Sequence, residues 1–183
     1  DRPVLARVIV EKPDKAAAKR VIVQGLLKAG VIEPSTSAWR QACFLVPKPA
    51  EDGKPDPDMT KWRFIVDLRP SNKALVFDAW PCPSLAGVHQ GLASAKIISE
   101  LDLSSAFFQL ELDQDSRAPT AFACDDVLYQ FCASPMGCSN SVQALARWLV
   151  WLLRDFMVGE KSKVNPGGRR CLQIYVDNLY IYS

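Results

Sequence analysis

Histidine is nearly absent from this sequence. Its 183 residues include one, His89, and none of the six cysteines form a Cys-x-x-Cys pair. Zinc sites usually need closely spaced cysteines and histidines, so this spacing argues against one. Several cysteines fall within apolar segments, which predicts reduced thiols in the core. The six are Cys43, Cys82, Cys124, Cys132, Cys138 and Cys171.

Long apolar runs are missing as well. The richest stretch, Trp148 to Val158, is interrupted by Arg154 and Asp155, and about 18 apolar residues are needed to span a bilayer. The N-terminus lacks the charged, apolar and small-residue order of a signal peptide. We therefore expect an intracellular protein with no membrane partner.

Strong charge of one sign is the third absence. The net charge of +2 neither requires nor excludes a nucleic-acid partner, which marked basicity would have favoured. Lys161, Lys163, Arg169 and Arg170 are compatible with a local basic patch. A solvated surface loop explains these four residues equally well.

What is present, 49% hydrophobic and 23% charged residues, is typical of a globular protein. Hydrophobic spacing in the first half predicts a helix over residues 14–29, capped by Asp14 and ended by Gly30. Strand-like runs follow at 42–46 and 62–67. The proline-rich stretch between them predicts a hairpin with a long, irregularly paired tip.

The second half is richer in regular patterns. A short helix is predicted over residues 84–93, and a long amphipathic helix extends to Phe156, with Ser139 or Ser141 as its cap and Gly159 as its stop. Alternating polarity predicts four strands, at 96–103, 127–132, 171–176 and 179–182. This order predicts an α+β fold in which helices pack on one face of an antiparallel sheet.

Two acidic residues stand at strand ends in this arrangement. Asp102 lies on the polar face of strand 96–103, and Asp177 begins an Asp-Asn dipeptide that we expect to form the turn of the last hairpin. Singly, each is better explained as a turn former or a solvated group. Their sequence surroundings decide between that explanation and a catalytic role.

These surroundings resemble the reverse transcriptases of retroelements. Leu101-Asp102-Leu103-Ser104-Ser105-Ala106-Phe107-Phe108 resembles the first catalytic motif. Tyr175-Val176-Asp177-Asn178-Leu179 resembles the signature hairpin, whose usual form is Tyr-x-Asp-Asp. Further blocks resemble the start of the fingers, the fingers motif and the loop before the palm helix, at residues 30–37, 62–73 and 135–141. The blocks occur in family order, so the chain is identified as a member of the Ty3/gypsy-like or retrovirus-like enzymes.

The resemblance implies an RNA-directed DNA polymerase, with mainly fingers in residues 1–80 and mainly palm, including the catalytic hairpin, in residues 81–183. Such an enzyme adds deoxynucleotides from their triphosphates to a primer 3′ hydroxyl on an RNA or DNA template. Two Mg²⁺ ions, or Mn²⁺ in their place, would stabilise the attacking and leaving oxygens. The resemblance also implies thumb and ribonuclease H segments of a polyprotein, in the cytoplasm, the nucleus or virus-like particles.

The family's site residues carry over one by one. Asp102, Asp177 and the backbone carbonyl of Leu103 would bind the metal ions. Arg63 would bind the triphosphate through a forked guanidinium contact, with Lys61 as a weaker candidate. Other nucleotide contacts would come from the backbone amides of Ser105 and Ala106, from Phe107 under the sugar, and from the loop residues Met136 and Gly137. A plain core phenylalanine is the alternative explanation for Phe107.

Asn178 departs from the family pattern at a catalytic position. An amide oxygen can ligate a metal but brings no charge to a site that neutralises a triphosphate, so we expect impaired polymerisation. A decayed or domesticated element, an active lineage that tolerates Asn, and a deliberate substitution all explain the change. The alternative function is a catalytically inactive, polymerase-like module for nucleic-acid binding or assembly, which a missing thumb after Ser183 would also favour.

Overall fold

The structure is a computed structural model that describes residues 3–50, 52–82, 84–93, 95–156 and 171–183. The chain divides into two compact units, one made of residues 1–76 and 111–139 and the other of residues 77–110 and 140–183. Each of the three sheets lies within a single unit. The basic residues between 161 and 170 and the predicted stop at Gly159 lie outside the described residues.

The helices and strands alternate irregularly along the chain. In chain order they are α1 (Pro13–Lys28), β1 (Ile32–Pro34), β2 (Cys43–Val46), β3 (Arg63–Val66), α2 (Arg69–Asn72), α3 (Leu85–Leu92), β4 (Ile98–Asp102), α4 (Gln114–Arg117), β5 (Phe122–Cys124), β6 (Val127–Phe131), α5 (Ser141–Leu153), β7 (Cys171–Tyr175) and β8 (Asn178–Tyr182). In the described part of the chain, no helix combines the length and apolar character that crossing a membrane requires.

The first unit holds two antiparallel sheets, one of order β1-β6-β5 and one formed by β2 and β3. Phe122 of β5 is fully buried. Its ring lies 5.2 Å from that of Phe64, 6.0 Å from that of Tyr129 and 5.6 Å from that of Phe131, measured between centroids. Aromatic rings at these separations attract each other beyond the effect of burial alone, so this cluster joins strands of both sheets.

The second unit packs α5 against an antiparallel sheet of order β4-β8-β7. Leu145 and Leu149, four residues apart on one helix face, form a buried core with Leu172, Ile174 and Leu179 of the sheet. This arrangement positions the β4 and β8 ends that carry the acidic residues. The predicted α+β fold with an antiparallel sheet is confirmed.

The start of α1 differs from the prediction. The helix begins at Pro13 with Lys12 at the N-cap, so Asp14 is a first-turn residue and not the cap. The fixed φ of proline and its missing N–H suit the first helical position. Gly30 follows the helix with a left-handed φ of 70°, as expected of a glycine that ends a helix.

The start of α5 also differs, because Asn140 and neither serine candidate, Ser139 or Ser141, occupies the N-cap. The side-chain oxygen of Asn140 accepts a hydrogen bond from the backbone N–H of Asp78 at 3.1 Å. The helix ends at Leu153 and continues as one 3₁₀ turn to Phe156.

The tip of the β2–β3 hairpin is closed by an isolated contact between its two sides. Pro49 and Pro55 form an isolated antiparallel bridge, and the backbone N–H of Ala50 donates to the carbonyl of Lys54 at 2.7 Å. Proline lacks a donor but keeps its carbonyl, so residues next to the prolines supply the N–H groups that close the tip. The strands stop at Val46 and resume at Arg63, so this isolated bridge does not continue the regular pairing that the prolines were expected to interrupt.

Candidate active site

Side chains from the end of β4 and the start of β8 share one face of the second unit's sheet. Asp102 lies directly opposite Asn178, and Glu100 lies directly opposite Tyr180. Opposite residues of an antiparallel pair project from the same face, with Cβ atoms about 4.5–5.5 Å apart. Asp102 and Glu100 are exposed, whereas Asn178 and Tyr180 are half-buried. The register thus brings Asp102 and position 178 together.

The turn between β7 and β8 consists of Val176 and Asp177, because β7 ends at Tyr175 and β8 begins at Asn178. The sequence predicted this turn at Asp177-Asn178, which is one residue too far along the chain. Val176 has a left-handed φ of 57°, a strained conformation for a β-branched residue. The pairing of Asn178 with both Tyr175 and Asp102 leaves only Val176 and Asp177 to reverse the chain.

The backbone of Asp177 is bonded to the end of β4. Its carbonyl oxygen accepts a hydrogen bond from the N–H of Leu103 at 2.9 Å, and Leu103 directly follows Asp102. This bond fixes the two backbone segments that carry the predicted carboxylates. The structure therefore brings Asp102, Asp177 and Asn178 to adjoining strand ends, as the metal-binding hypothesis requires.

The segment after Asp102 turns sharply away from β4. Ser105 has a left-handed φ of 55°, and the N–H of Ala106 donates to the carbonyl of Leu103 at 3.3 Å. That carbonyl keeps a second lone pair for a metal, whereas the Ala106 amide already has an internal partner. Ala106 is buried, and Phe107 packs half-buried against the same core, a position compatible with either explanation of this phenylalanine.

The predicted triphosphate-binding residues lie in the first unit. Arg63 is exposed at the first position of β3, opposite Val46 of β2. Lys61 ends a 3₁₀ turn, and its ammonium lies 3.7 Å from the carboxylate of Asp58. Exposed ion pairs of this kind contribute little in water, so Lys61 can exchange Asp58 for a phosphate group.

The loop with Met136 and Gly137 is held by a residue whose role the sequence did not indicate. Met136 is exposed, and Gly137 takes a left-handed φ of 88°. The side-chain nitrogen of Asn72 donates to the Gly137 carbonyl at 2.8 Å, and its oxygen accepts from the Ser139 N–H at 3.0 Å. An asparagine can donate and accept at once, and the place of Asn72 within the fingers motif was the available signal.

The oxygen donors at the β4 and β8 ends suit a divalent metal ion that takes only a few of its ligands from the protein. Within the described residues, no group of three His, Cys, Asp or Glu side chains could hold a metal. Mg²⁺ commonly takes only one or two protein carboxylates and completes its shell with water and substrate phosphates. Asp102 and Asp177 would be such a pair, and Asn178 would add a neutral oxygen. The donor set therefore suits a metal that arrives with a phosphate substrate.

Comparisons with known proteins identify the family of this chain. Residues 46–183 match the family described as reverse transcriptase (RNA-dependent DNA polymerase). The retrovirus-related Pol polyprotein from transposon 412 of Drosophila melanogaster is 34% identical over 149 residues, which are 81% of this chain and 12% of that polyprotein. The polyprotein from transposon gypsy of the same organism is 31% identical over 161 residues, 88% of this chain and 14% of the relative.

Solved structures show the same relationship. Prototype foamy virus protease-reverse transcriptase, in its CSH mutant, aligns with a TM-score of 0.78 at 26% identity, covering 98% of this chain and 21% of the other. The foamy viral enzyme in complex with an RNA/DNA hybrid aligns with a TM-score of 0.76 at 26% identity, with the same coverage. The chain belongs to the reverse transcriptase family, and its Ty3/gypsy-like character is confirmed. It spans about an eighth of the length of the two transposon polyproteins.

Proposed function

We propose that this chain is the fingers-and-palm core of an RNA-directed DNA polymerase, with mainly fingers in residues 1–80 and mainly palm in residues 81–183. The observation that carries the proposal is the pairing of Asp102 with Asn178, together with the hydrogen bond from Leu103 to the Asp177 carbonyl. These contacts support the proposal because they join the backbone of Asp177 to the strand end that carries Asp102, opposite Asn178.

The proposed reaction is an in-line attack of a primer 3′ hydroxyl on the α-phosphate of a deoxynucleoside triphosphate. Bound Mg²⁺ or Mn²⁺ would supply positive charge at the attacking and leaving oxygens. Asp102 and Asp177 would hold the metal, and the Leu103 carbonyl would add a ligand. Because Asp102 ends a paired strand and the backbone of Asp177 is hydrogen-bonded to Leu103, we expect their positions to need little reorganisation when substrate binds.

Substrate binding would use the further residues that the family resemblance indicates. The guanidinium of Arg63 would make forked contacts with the phosphates, and Lys61 would add a point charge. The Ser105 amide would face phosphate oxygens, and Phe107 would lie under the sugar. The loop braced by Asn72 would cover the nucleotide through its exposed residues, Met136 and Gly137. A primed RNA or DNA template is the proposed partner, which the foamy viral complex with an RNA/DNA hybrid supports.

Asn178 lowers the negative charge of this site by one relative to the usual Tyr-x-Asp-Asp signature. We therefore propose that polymerisation is impaired and that Asn178→Asp, in a chain extended through the thumb, raises Mg²⁺-dependent primer extension on a primed RNA by orders of magnitude. Asp102→Asn in the same background should abolish the gain. Unchanged extension by a folded Asn178→Asp variant would refute the role of position 178.

A polymerase-like nucleic-acid-binding or assembly module without catalysis is the second candidate, and the neutral Asn178 favours it. This module would bind primed template without any requirement for Asp102. Nucleotide binding that depends on both a divalent metal and Asp102 would exclude it.

A further inference from the structure

Three polar groups from distant parts of the first unit meet in its interior. The side-chain nitrogen of Gln41 donates to Oγ of Ser71 at 2.6 Å and to the carbonyl oxygen of Pro119 at 3.1 Å. The Ser71 hydroxyl donates to the same carbonyl at 2.8 Å. Gln41 is 2% exposed and Ser71 is 5% exposed, so water does not compete for these bonds. The three groups, named the polar cluster below, fix Ser71 relative to two other segments of the chain.

Stability alone does not explain a glutamine in the polar cluster. The nitrogen of its amide makes two hydrogen bonds, but Oε1 of Gln41 is buried and has no hydrogen-bond partner in the part of the chain that the structure describes. Leaving a buried acceptor unpaired lowers stability, and an apolar side chain of similar length would not carry this cost. The hydrogen bonds of Gln41 therefore indicate a role in placing Ser71.

The segment that the polar cluster holds is short. Helix α2 has only four residues, Arg69–Asn72, and a single helical turn is not stable by itself. Asn72, the neighbour of Ser71 in this turn, donates to the Gly137 carbonyl at 2.8 Å and accepts from the Ser139 N–H at 3.0 Å. Because the two residues are adjacent, fixing Ser71 also fixes the position from which Asn72 reaches the loop.

We propose that Gln41 and Ser71 are positioning residues that hold Asn72 against the loop of Met136 and Gly137, and that they thereby raise the affinity for the incoming nucleotide. The inference rests on the proposed function, in which this loop covers the nucleotide. Gln41 and Ser71 are both buried, so they act through Asn72 and do not touch the substrate.

Gln41→Met separates this positioning role from stability. Ser71 keeps its bond to the Pro119 carbonyl in this variant, so no buried donor loses its acceptor. We expect a urea midpoint no lower than that of the parent. The affinity for a deoxynucleoside triphosphate with Mg²⁺, measured by calorimetry, should fall about fivefold, the effect of one hydrogen bond of ordinary strength. Gln41→Leu, a second apolar replacement, should give the same result.

A double-mutant cycle tests whether Gln41 acts through Asn72. Asn72→Ala removes both bonds to the loop, so adding Gln41→Met to it should not weaken nucleotide binding further. A merely structural role of Gln41 would weaken binding by the same factor in both backgrounds, because the effects of independent sites add. The matched control is Gln130→Met. Gln130 bonds with Glu33 and Ser35 and has no bond to α2, so this variant should bind nucleotide as the parent does.

Amide hydrogen exchange provides a readout that needs no ligand. The Ser139 N–H is bonded to the side chain of Asn72, so loosening Asn72 should speed its exchange. We expect faster exchange at Ser139 in Gln41→Met than in the parent. The Phe131 N–H, which is bonded to buried Thr120, should exchange at the same rate in both proteins. Equal exchange at Ser139 would overturn the positioning role.

The remaining outcomes separate this inference from the proposed function. Equal nucleotide affinity of the parent and Gln41→Met overturns the inference and leaves the polymerase proposal intact. Equal weakening by Gln41→Met with and without the Asn72 side chain does the same. Nucleotide binding by the parent that is unchanged in Asp102→Asn overturns the proposed function, and the nucleotide role of Gln41 with it.

Discussion

Val176 takes a left-handed φ of 57° although it is β-branched. Glycine adopts this conformation without the clash that a Cβ introduces. We therefore predict that Val176→Gly leaves the free energy of unfolding no lower than that of the parent. Val127→Gly, in the β6 strand, should lower it by about 1 kcal/mol. Urea unfolding measures both, and equal losses would show that Val176 is unstrained.

A buried ion pair joins a lysine of α1 to a glutamate that lies just before this helix. The ammonium of Lys19 lies 2.9 Å from the carboxylate of Glu11, and their side chains are 7% and 3% exposed. Burial opposes the ionisation of Glu11, but the hydrogen bond and charge of Lys19, with further contributions from Leu45 and Lys15, outweigh it. The pKa of Glu11 is therefore lowered, and that of Lys19 is raised.

Removing one partner of this pair should destabilise the first unit. Lys19→Met should lower the free energy of unfolding by about 3 kcal/mol at neutral pH. Lys15→Met is the control, since Lys15 is more exposed and lies 3.5 Å from Glu11, and it should cost less than about 1 kcal/mol. Chemical denaturation checks both values, and equal effects would contradict the assignment.

Glu11 should make the stability of the parent depend more steeply on pH than the stability of Lys19→Met. In the parent, the lowered pKa means that unfolding takes up a proton, so stability from Glu11 is present at neutral pH and is lost as pH falls through the acid range. Without Lys19, only Leu45 and Lys15 would oppose the effect of burial, so the pKa of Glu11 should be higher in the variant than in the parent, and acidification should cost the variant less stability. The cost of Lys19→Met should therefore shrink in acid, and a constant cost would contradict this.

Among the elements, long and strongly patterned segments were predictable from the sequence. The periodic leucines of α5 and the alternation of β7 and β8 gave their positions nearly correctly. β1 and β5 have three residues each, too few for alternation to be recognised. Their formation depends on pairing with β6 on both sides, which no local pattern reports.

In the candidate site too, some features could be predicted from the sequence, and others depend on how the strands pair. Asp102 and Asp177 were found because their motifs resemble those of a known family. The displaced turn was missed because apolar Val176 continues the alternation of β7, and only the pairing of Asn178 with Tyr175 shows that the strand has ended. The Glu100–Tyr180 contact joins residues 80 positions apart, so it requires the β4–β8 register.

The α5 helix packs against the sheet that carries the candidate site, so its buried leucines should contribute more to stability than its exposed ones. Leu145 is fully buried, whereas Leu152 is 50% exposed on the same helix. Leu145→Ala should lower the free energy of unfolding by about 3 kcal/mol through the cavity it leaves, and Leu152→Ala by well under half of that. Similar losses in denaturant titrations would contradict the proposed orientation of α5.

At the scale of the whole molecule, the cysteines report on each unit separately. Cys43 and Cys124 are buried in the first unit, and Cys82 is exposed in the second. Burial raises the pKa of the Cys43 thiol to about 12, and alkylation requires the thiolate. We predict that iodoacetamide modifies Cys82 rapidly in the native protein and reaches Cys43 and Cys124 only on unfolding. Peptide mass analysis distinguishes these sites, and rapid native labelling of Cys43 would contradict its burial.

The central claim is that the β4 and β8 ends form a metal-dependent nucleotide site. The most direct measurement is a calorimetric titration of the folded chain with a deoxynucleoside triphosphate, with and without Mg²⁺. We predict binding that requires Mg²⁺, is lost in Asp102→Asn, and persists in Asp126→Asn, which removes an exposed carboxylate of the first unit. Binding that is indifferent to Mg²⁺, or equal in these two variants, would contradict the account.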